Sequence, residues 1–287
     1  MVQKTVLITG SSEGGIGDAL AKEFHKKGLR VFATARNLAK VQHLKEMGLE
    51  VLKLDVVDEA SIKQAVEDVR TKTGGTLDFL VNNSGGGYSL PLLDTTVAAA
   101  RKVFDVNVFA LVAVTQAFAP LLIASKGTVI NIGSVAGVIP MPWQGYYNAT
   151  KAAVAMLSDN LRIELSPWGV KVINVITGGI KTKFFDNMPD QHLPPNSFYE
   201  AAREDIEPII RGSFIEKSAW DVDRYAVAVV ANALKSNPNV HQWAGSDVWA
   251  IWFSQTFGWS TIWDWIVSGV VNLPLVTKKI QAAQKSK

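Results

Sequence analysis

A glycine-rich turn near the N-terminus constrains the fold of this chain more than any other stretch. An apolar run at 5–9 leads into Gly10-Ser-Ser-Glu-Gly14-Gly15-Ile16-Gly17, then a helical pattern of apolar residues, then a second apolar run at 29–34. This order describes a βαβ unit whose turn lies at the helix N-terminus. Glycines let the backbone approach a pyrophosphate, and free N–H groups of the helix bind the anion. The turn therefore predicts an α/β fold that binds a dinucleotide.

The residue after the second predicted strand indicates which dinucleotide is bound. An acidic side chain there would accept a hydrogen bond from the ribose 2′-hydroxyl of NAD(H). This chain has Ala35-Arg36 instead, and an arginine can bind a 2′-phosphate through charge-assisted hydrogen bonds. We therefore expect NADP(H) as the cofactor.

The same alternation of strands and helices continues along the chain. Further strands are predicted at 51–56, 77–81, 127–133, 170–176 and 240–243, and helices at 61–71, 97–119, 147–165 and 221–234. Elements of these lengths predict a Rossmann-type doubly wound parallel sheet. We predict a single α/β domain at 1–245, followed by an apolar, Trp-rich C-terminal extension at 246–287.

Three residues in the second half of the domain form a candidate catalytic group. Tyr147 and Lys151 are four residues apart, which places them on one face of a helix. Ser134 follows an apolar run, at the strand end where α/β sheets bind ligands. A phenol has a pKa of about 10. An ammonium about 4 Å away is worth roughly 4 kcal/mol at an effective dielectric of about 20, so we expect Lys151 to lower the pKa of Tyr147 towards neutrality.

These motifs together resemble a classical short-chain dehydrogenase/reductase, over roughly residues 1–185. The resemblance implies that Ser134 polarises a substrate carbonyl and that Tyr147 is the general acid. It also implies that Lys151 holds the nicotinamide ribose and that Asn107 anchors a proton-relay water. The matching pieces are Thr9-Gly10 … Gly15-Ile16-Gly17, Asp55-Val56, Asn82-Asn83-Ser84-Gly85, Asn107, Ser134, Tyr147-x-x-x-Lys151 and Thr177-Gly178 … Thr182.

The expected cofactor site follows from this resemblance and from the glycine turn. It comprises Gly10, Ser12, Gly15, Ile16, Gly17, Arg36, Asp55, Val56, Asn83, Ser84, Gly85, Tyr147, Lys151, Gly178, Ile180 and Thr182. The chain departs from the family pattern in three places: the glycine turn is one residue longer through Glu13-Gly14, Ser84 replaces an alanine, and Thr177 replaces a proline.

The chain also resembles a narrower branch, the fungal NADPH-dependent 1-acyldihydroxyacetone-phosphate reductases, which also includes tailoring ketoreductases of secondary metabolism. The resemblance rests on the Gly14-Gly15-Ile16-Gly17 turn, the stretch at 176–179 and the apolar tail. It implies a reductase that transfers hydride from NADPH to the ketone of a lipophilic substrate. A redox-neutral isomerase or cyclase on the same scaffold, and a non-catalytic NADP-sensing protein, are the competing hypotheses.

The composition and motifs argue against several other functional classes of protein. The chain has no cysteine, so disulfides and thiol nucleophiles are excluded, and no metal site is predicted. A net charge of +3 without a basic run does not suggest nucleic acid. A serine hydrolase is disfavoured although Gly10-Ser-Ser-Glu-Gly14 fits G-x-S-x-G, because the same residues form the pyrophosphate turn. The N-terminus runs directly into a strand, so we expect a cytoplasmic or cytosol-facing location, including the surface of the endoplasmic reticulum or a lipid droplet.

Two later segments are interpreted through their apolar content. Residues at about 181–220 are expected to form a lid over a lipophilic carbonyl substrate. Residues 248–276 carry one charge and several tryptophans, and three alternatives are open for them: packing on the domain or on a twin subunit, contact with a membrane surface, or a membrane span. The family resemblance further implies a homo-oligomer formed through the helices around Asn107 and Tyr147.

Overall fold

Seven short β-strands form one parallel sheet in the order β3-β2-β1-β4-β5-β6-β7. The computed structural model describes residues 3–188, 191–213 and 218–285. The order reverses between β1 and β4, and this confirms the predicted doubly wound, Rossmann-type sheet. The strands are β1 (Thr5–Ile8), β2 (Arg30–Ala35), β3 (Glu50–Lys53), β4 (Phe79–Asn82), β5 (Thr128–Ile132), β6 (Lys171–Thr177) and β7 (His241–Ala244).

Helices cover both faces of the sheet because successive strand residues point to opposite sides. Val6 and Ile8 face a core that contains Phe24 of the first helix, whereas Leu7 faces a second core that contains Phe118. The helices are α1 (Ile16–Lys26), α2 (Gln42–Glu46), α3 (Glu59–Thr73), α4 (Val97–Phe104), α5 (Ala110–Ser125), α6 (Gly145–Glu164), α7 (Arg203–Ile210), α8 (Val222–Ala233), α9 (Val248–Phe257), α10 (Ile262–Val270) and α11 (Leu273–Lys285).

The predicted elements are present, with shifts at their ends. Strand β3 ends at Lys53 rather than at 56, because the Asp55 carboxylate accepts a hydrogen bond from the Val57 amide and turns the chain. The helix predicted at 97–119 runs on to Ser125, with a π-helical turn at Asp105–Phe109 between α4 and α5. The short helix α2 was not predicted, since its five residues are too few to show a periodic pattern.

The stretch Val97–Ser125 is the one helical segment in the described ranges that is long and apolar enough to cross a membrane. Its side chains show why it is apolar in this fold. Val114, Phe118 and Leu122 are buried against the sheet. Its composition is therefore explained by packing in the core.

A chain of buried polar side chains crosses the middle of the sheet. Asn82 on β4 pairs in register with Asn131 on β5. The Asn82 amide nitrogen donates to Thr115 Oγ1 on α5 and to Asn131 Oδ1, each at 2.9 Å. The Asn131 amide nitrogen in turn donates to Ser158 Oγ on α6, also at 2.9 Å. The chain thereby connects two neighbouring strands to the helices that flank the candidate site.

The C-terminal extension consists of three short helices, and the longest has 13 residues. Val267 and Val271 pack against Met141, and Val276 packs against Trp143 and helix α7. Part of the extension therefore packs on its own domain, which is one of the three alternatives that the sequence left open. None of its described helices approaches the length of about 20 residues that a span needs. The domain boundary at 245 stays a prediction.

Replacing Asn131 should destabilise the fold more than replacing the residue at the end of the polar chain. In Asn131→Leu the volume is roughly kept, but one N–H of the Asn82 amide loses its acceptor and the Ser158 hydroxyl loses its donor. Each buried polar group left unpaired costs about 1–3 kcal/mol, so we expect the free energy of unfolding to fall by at least ~2 kcal/mol. Ser158→Ala removes one partner and should cost about half as much. Equal losses in urea unfolding would contradict this account.

Candidate active site

The functional residues predicted from the sequence converge because all seven strands run parallel. Their carboxyl ends lie at one edge of the sheet, which is where ligands bind in this architecture. The residues that follow β1, β2, β4, β5 and β6 at that edge are, respectively, Gly10, Arg36, Asn83, Ser134 and Gly178.

The glycine turn is closed tightly by the end of β4. The Asn83 amide nitrogen donates to the carbonyl oxygens of Thr9 (3.0 Å) and Gly10 (2.9 Å). A side chain on Gly17 would clash with the Gly10 carbonyl and with this amide, and Gly10 itself has φ +71°. The Thr9 hydroxyl accepts from the amides of Asn83 and Ser84, each at 2.9 Å. Asn83, predicted as a cofactor contact, therefore holds the turn with its side chain.

Asp18 is a site residue that the sequence analysis missed. Its carboxylate accepts from the Gly14 amide (3.0 Å), from Lys22 Nζ (2.9 Å) and contacts His43 Nε2 (2.8 Å). Burial opposes the charge, but these hydrogen bonds outweigh it and keep the pKa of Asp18 below its ordinary value. An acidic residue in the first helical turn, four residues after a glycine, is the signal that could have revealed it.

The Asp18–His43 pair also bears on the G-x-S-x-G pattern. A hydrolase would need the imidazole to accept the proton of the motif serine, Ser12. Among the contacts of the described residues, none joins His43 to Ser12. Ser12 instead accepts a hydrogen bond from the Gly15 amide through its carbonyl oxygen, at 3.2 Å. Ser12 therefore shapes the turn that leads to Ile16, the first residue of α1.

Arg36 is exposed immediately beyond β2. No ion pair or side-chain hydrogen bond occupies it in the described part of the chain, so its guanidinium can take an anion. Two backbone hydrogen bonds hold the glycine turn beside this strand end, from Ser11 to Thr34 (2.8 Å) and from Glu13 to Lys40 (3.1 Å). The glycine turn has no space for a Cβ at Gly17, and Arg36 beside it is unpaired among the described residues. These features fit a dinucleotide that carries a 2′-phosphate.

The remaining predicted cofactor residues frame the same edge. Asp55 and Val56 form the turn after β3, Gly85 packs against the Asn107 side chain, and Gly178 packs on the Ser246 carbonyl. Ile180 pairs with Trp220 in an isolated bridge, and the Thr182 hydroxyl accepts from the Phe184 amide at 3.3 Å. The structure therefore places these residues together at the strand ends.

Ser134, Tyr147 and Lys151 meet between the end of β5 and the first turns of α6. The Ser134 hydroxyl accepts a hydrogen bond from the Ala136 amide at 3.0 Å and lies close enough to the Tyr147 phenol to affect its pKa. Lys151 Nζ lies 5.9 Å from the centroid of the Tyr147 ring and donates to the Ile132 carbonyl at 2.9 Å. Gly137 allows the close approach, because a side chain there would clash with the Lys151 backbone. The three predicted residues thus form one cluster.

The electrostatics of this cluster correct one expectation. Burial raises the pKa of Tyr147 to about 12, and the nearby Ser134 hydroxyl opposes this rise only in part. Burial lowers the pKa of Lys151 to about 8. The expected drop of the Tyr147 pKa towards neutrality was wrong for the polypeptide itself, because burial raises the pKa and the Lys151 ammonium donates to the Ile132 carbonyl rather than to the phenol. Both side chains keep some contact with solvent at the cleft.

Asn107 supports the cluster from the π-helical turn. Its amide nitrogen donates to the Gly86 carbonyl (2.9 Å) and to Thr150 Oγ1 (3.1 Å), and its Oδ1 accepts from the Gly86 amide (2.8 Å). Thr150 in turn donates to the Tyr147 carbonyl at 2.7 Å. The side chain therefore positions the β4 loop and the catalytic helix. A side chain with these three bonds has little capacity left for the relay water that the resemblance implied, and that role stays a prediction.

Part of the predicted lid lies directly over Tyr147. The rings of Phe184 and Tyr147 have centroids 5.9 Å apart, and Phe185 packs edge-on against Phe184 at 5.3 Å. Phe184 and Met188 also pack so closely on Gly87 that a side chain there would overlap them. Residues 189–190 and 214–217 of the predicted lid lie outside the described residues.

Two basic residues of the lid are occupied by acidic partners. Arg203 pairs with Glu200 and with Glu207, the latter at 2.6 Å. Arg211 contacts the same Glu207 at 3.2 Å. These arginines hold helix α7 together, whereas Lys181 and Lys183 are exposed and carry no ion pair among the described residues.

Comparison with known proteins gives consistent results. A family model described as short chain dehydrogenase matches residues 4–193. The short-chain dehydrogenase ptmH of Penicillium ochrochloron is 45% identical over 235 residues, which are 82% of this chain and 86% of that protein. The NADPH-dependent 1-acyldihydroxyacetone phosphate reductase of Schizosaccharomyces pombe is 41% identical over 225 residues, 76% of each protein.

A solved structure extends the similarity to nearly the whole fold. The short-chain dehydrogenase from Streptomyces avermitilis superposes with a TM-score of 0.78 at 26% identity, and covers 97% of this chain and 98% of that one. The range matched by the family model includes the glycine turn and the Ser134, Tyr147 and Lys151 cluster. The predicted family resemblance is confirmed.

The depressed pKa of Lys151 makes a pH-dependent contribution to stability. The unfolded chain holds the lysine proton up to about pH 10.4, and the folded protein releases it near pH 8. Stability must therefore rise between these values, because the unfolded state binds more protons. In nucleotide-free protein we expect Lys151→Met to melt at least ~2 °C above wild type at pH 7, with the difference shrinking by pH 10. Lys102→Met, at an exposed position, should show no such trend, and a constant difference for Lys151→Met would contradict the buried charge.

Proposed function

We propose that this chain, which belongs to the short-chain dehydrogenase family and is therefore an oxidoreductase, is an NADPH-dependent reductase of a lipophilic ketone. The observation that carries the proposal is the cluster of Ser134, Tyr147 and Lys151 beneath the aromatic lid residue Phe184. The substrate is an acyl-dihydroxyacetone phosphate or a ketone of secondary metabolism. Similarity to an acyl-dihydroxyacetone phosphate reductase and to fungal short-chain dehydrogenases supports both choices.

The cluster contains the groups that carbonyl reduction requires. The Ser134 hydroxyl and the Tyr147 phenol can both donate hydrogen bonds to one carbonyl oxygen, which polarises the carbon for attack. Because its pKa is raised to about 12, Tyr147 stays protonated at neutral pH and can give its proton to the developing alkoxide. Lys151 supplies positive charge below about pH 8, which stabilises the phenolate that forms. NADPH, when bound, supplies the hydride.

The cofactor preference rests on Arg36 and on the shape of the glycine turn. Arg36 would hold the 2′-phosphate, and the turn at Gly10–Gly17 together with the start of α1 would hold the pyrophosphate. The preference for a lipophilic substrate rests on the lid, where Phe184, Phe185 and Met188 line the approach to Tyr147.

Replacing the phenol should sharply lower turnover. Loss of a general acid costs about 10²–10⁴ in rate, so Tyr147→Phe should lower kcat/KM at least ~100-fold with either ketone. NADPH oxidation is followed with an acyl-dihydroxyacetone phosphate and with a neutral bulky ketone, and NADH serves as the cofactor control. Tyr146→Phe, one residue away and outside the cluster, should retain activity.

The outcomes of this experiment separate the competing functions. Equal activity of wild type and Tyr147→Phe would overturn the assigned acid. Conversion of a candidate substrate without net NADPH loss would favour a redox-neutral isomerase or cyclase. Tight NADPH binding with no conversion of a broad panel would favour a sensing protein.

We further propose that the extension contacts a cytosol-facing membrane surface, such as that of the endoplasmic reticulum or a lipid droplet. Helix α9 buries only Val248, and Trp249, Phe253 and Phe257 are exposed by 76%, 61% and 66%. Trp265 on α10 is exposed by 74%. Tryptophan and phenylalanine on short helices suit the interface of a bilayer rather than its interior. The extension also packs on helix α7 of the lid, so such contact would bring a lipophilic substrate close to the site.

A separate apolar face supports the proposal of a homo-oligomer. Phe109 in the π-helical turn and Met156 and Ile163 on α6 are each exposed by more than 60%. Helices α4 and α6 pack against each other, and α6 packs against the π-helical turn, which makes this face continuous. Burial of such residues in a second copy is the usual fate of a large apolar patch.

Removing two exposed aromatic residues of α9 should release the protein from vesicles. Each aromatic side chain can bury about 150–250 Å², so Trp249→Ser with Phe253→Ser should weaken partition onto phosphatidylcholine vesicles at least ~10-fold. The matched control removes another exposed pair, Trp168→Ser with Phe198→Ser, and should bind like wild type. Light scattering without lipid should give the same mass for wild type and the α9 variant. A lower mass of the variant, with unchanged vesicle binding, would assign the α9 face to a twin subunit instead.

A further inference from the structure

Lys183 lies across the glycine turn, although it belongs to the lid. A Cβ built on Gly14 would be 3.2 Å from Lys183 Cε, 3.3 Å from Cδ and 3.6 Å from Cγ. The aliphatic part of the lysine therefore rests on the Gly14 backbone, which has φ +76° and no side chain to obstruct it. Gly14 belongs to the Glu13-Gly14 stretch that makes this turn one residue longer than the family pattern. Lys183 therefore contacts the lengthened part of the turn.

The ammonium group of Lys183 has no acidic partner among the described residues. No ion pair of the described residues includes it, whereas Arg203 and Arg211 of the same lid are paired with Glu207. Glu13, the acidic residue nearest in sequence to the contact, is also exposed and unpaired in the described ranges. The first turn of α1 presents N–H groups and a positive dipole end at the same place. The Asp18 carboxylate accepts from the Gly14 amide on this turn and is paired with Lys22, so the lysine and the N–H groups at the start of α1 are left to bind a phosphate oxygen.

Lys183 is also joined to the part of the lid that covers the catalytic group. Its carbonyl oxygen accepts from the Asn187 backbone amide (3.0 Å) and from Asn187 Nδ2 (2.7 Å), which closes a tight turn. The next residue, Phe184, packs on Tyr147 and Gly87. One residue thus contacts the β1–α1 turn while its neighbour contacts the β4 loop and the catalytic helix.

From these contacts we infer that Lys183 binds the pyrophosphate of the nucleotide and thereby holds the lid closed over Tyr147. This inference rests on the proposed function, because it requires that the chain binds NADPH. It assigns the cofactor an additional ligand from the lid. It also explains why the lid would differ between the nucleotide-bound and the free protein. The bound phosphate neutralises the Lys183 ammonium, and Phe184 is the next residue in the chain.

The test is the affinity of the full chain for NADPH without any ketone. Nicotinamide fluorescence gives the Kd for wild type, Lys183→Gln, Lys183→Arg and the matched control Lys181→Gln, whose lysine is exposed two residues earlier. A charge-assisted contact with phosphate predicts a Kd about 10-fold higher for Lys183→Gln. The salt dependence of Kd should also be weaker in this variant. Lys183→Arg should restore most of the affinity, and Lys181→Gln should bind like wild type.

Hydrogen exchange of the lid gives a second readout. NADPH should protect the amides around 182–188 in wild type and in Lys181→Gln, and this protection should be lost in Lys183→Gln at saturating NADPH. Equal Kd and equal protection in Lys183→Gln and wild type would overturn the inference. A raised KM for a phosphate-bearing ketone with unchanged Kd for NADPH would overturn it too, since it would assign the lysine to the substrate phosphate. Absence of NADPH binding by wild type would instead refute the proposed cofactor.

Discussion

Two hydrogen bonds from the Asn83 amide to the carbonyls of Thr9 and Gly10 connect the ends of β4 and β1, where the strand order of the sheet reverses. At this point β1 and β4 are neighbours, and their connections leave on opposite faces of the sheet. Such a junction exposes backbone carbonyls that neither helix can satisfy. Asn83 satisfies two of them, and the Thr9 hydroxyl satisfies the two amides that follow β4. The cleft exists because the polar groups at the ends of β1 and β4 hydrogen-bond to one another. They therefore leave the N-terminus of α1 free.

A second polar system keeps helix α6 in register with the sheet. The chain from Thr115 through Asn82 and Asn131 to Ser158 ties α5 and α6 to β4 and β5. Asn107 adds a parallel tie through Gly86 and Thr150. Buried hydrogen bonds are directional, so they restrict sliding of helices that apolar packing alone would tolerate. Tyr147 and Ser134 come from different elements, and their proximity requires such restriction.

The sequence predicted the sheet because its signals are local. A glycine turn between a strand and a helix, and apolar runs of five to seven residues, need no knowledge of distant contacts. Ser134, Tyr147 and Lys151 could be placed for the same reason, since a strand end and a helical spacing are both readable from the chain. The positions of His43 and Lys183 near Gly14 could not be read in this way. They are 29 and 169 residues from that glycine, and only the closed fold brings them together with it. The sign of the Tyr147 pKa shift was missed because burial depends on residues, such as Phe184, that lie outside the motif.

The high pKa of Tyr147 has a consequence for the protonation state in which the site rests. A proton that leaves only near pH 12 is present in essentially every molecule at cellular pH. The resting protein therefore already holds, on the Tyr147 phenol, the proton that carbonyl reduction consumes. Alcohol oxidation would begin from the rare deprotonated form, and the same burial that shields the phenol would hold that form at low population. The polypeptide alone thus holds a proton donor between the end of β5 and the first turns of α6, and no proton has to be taken up from solvent before the phenol can donate.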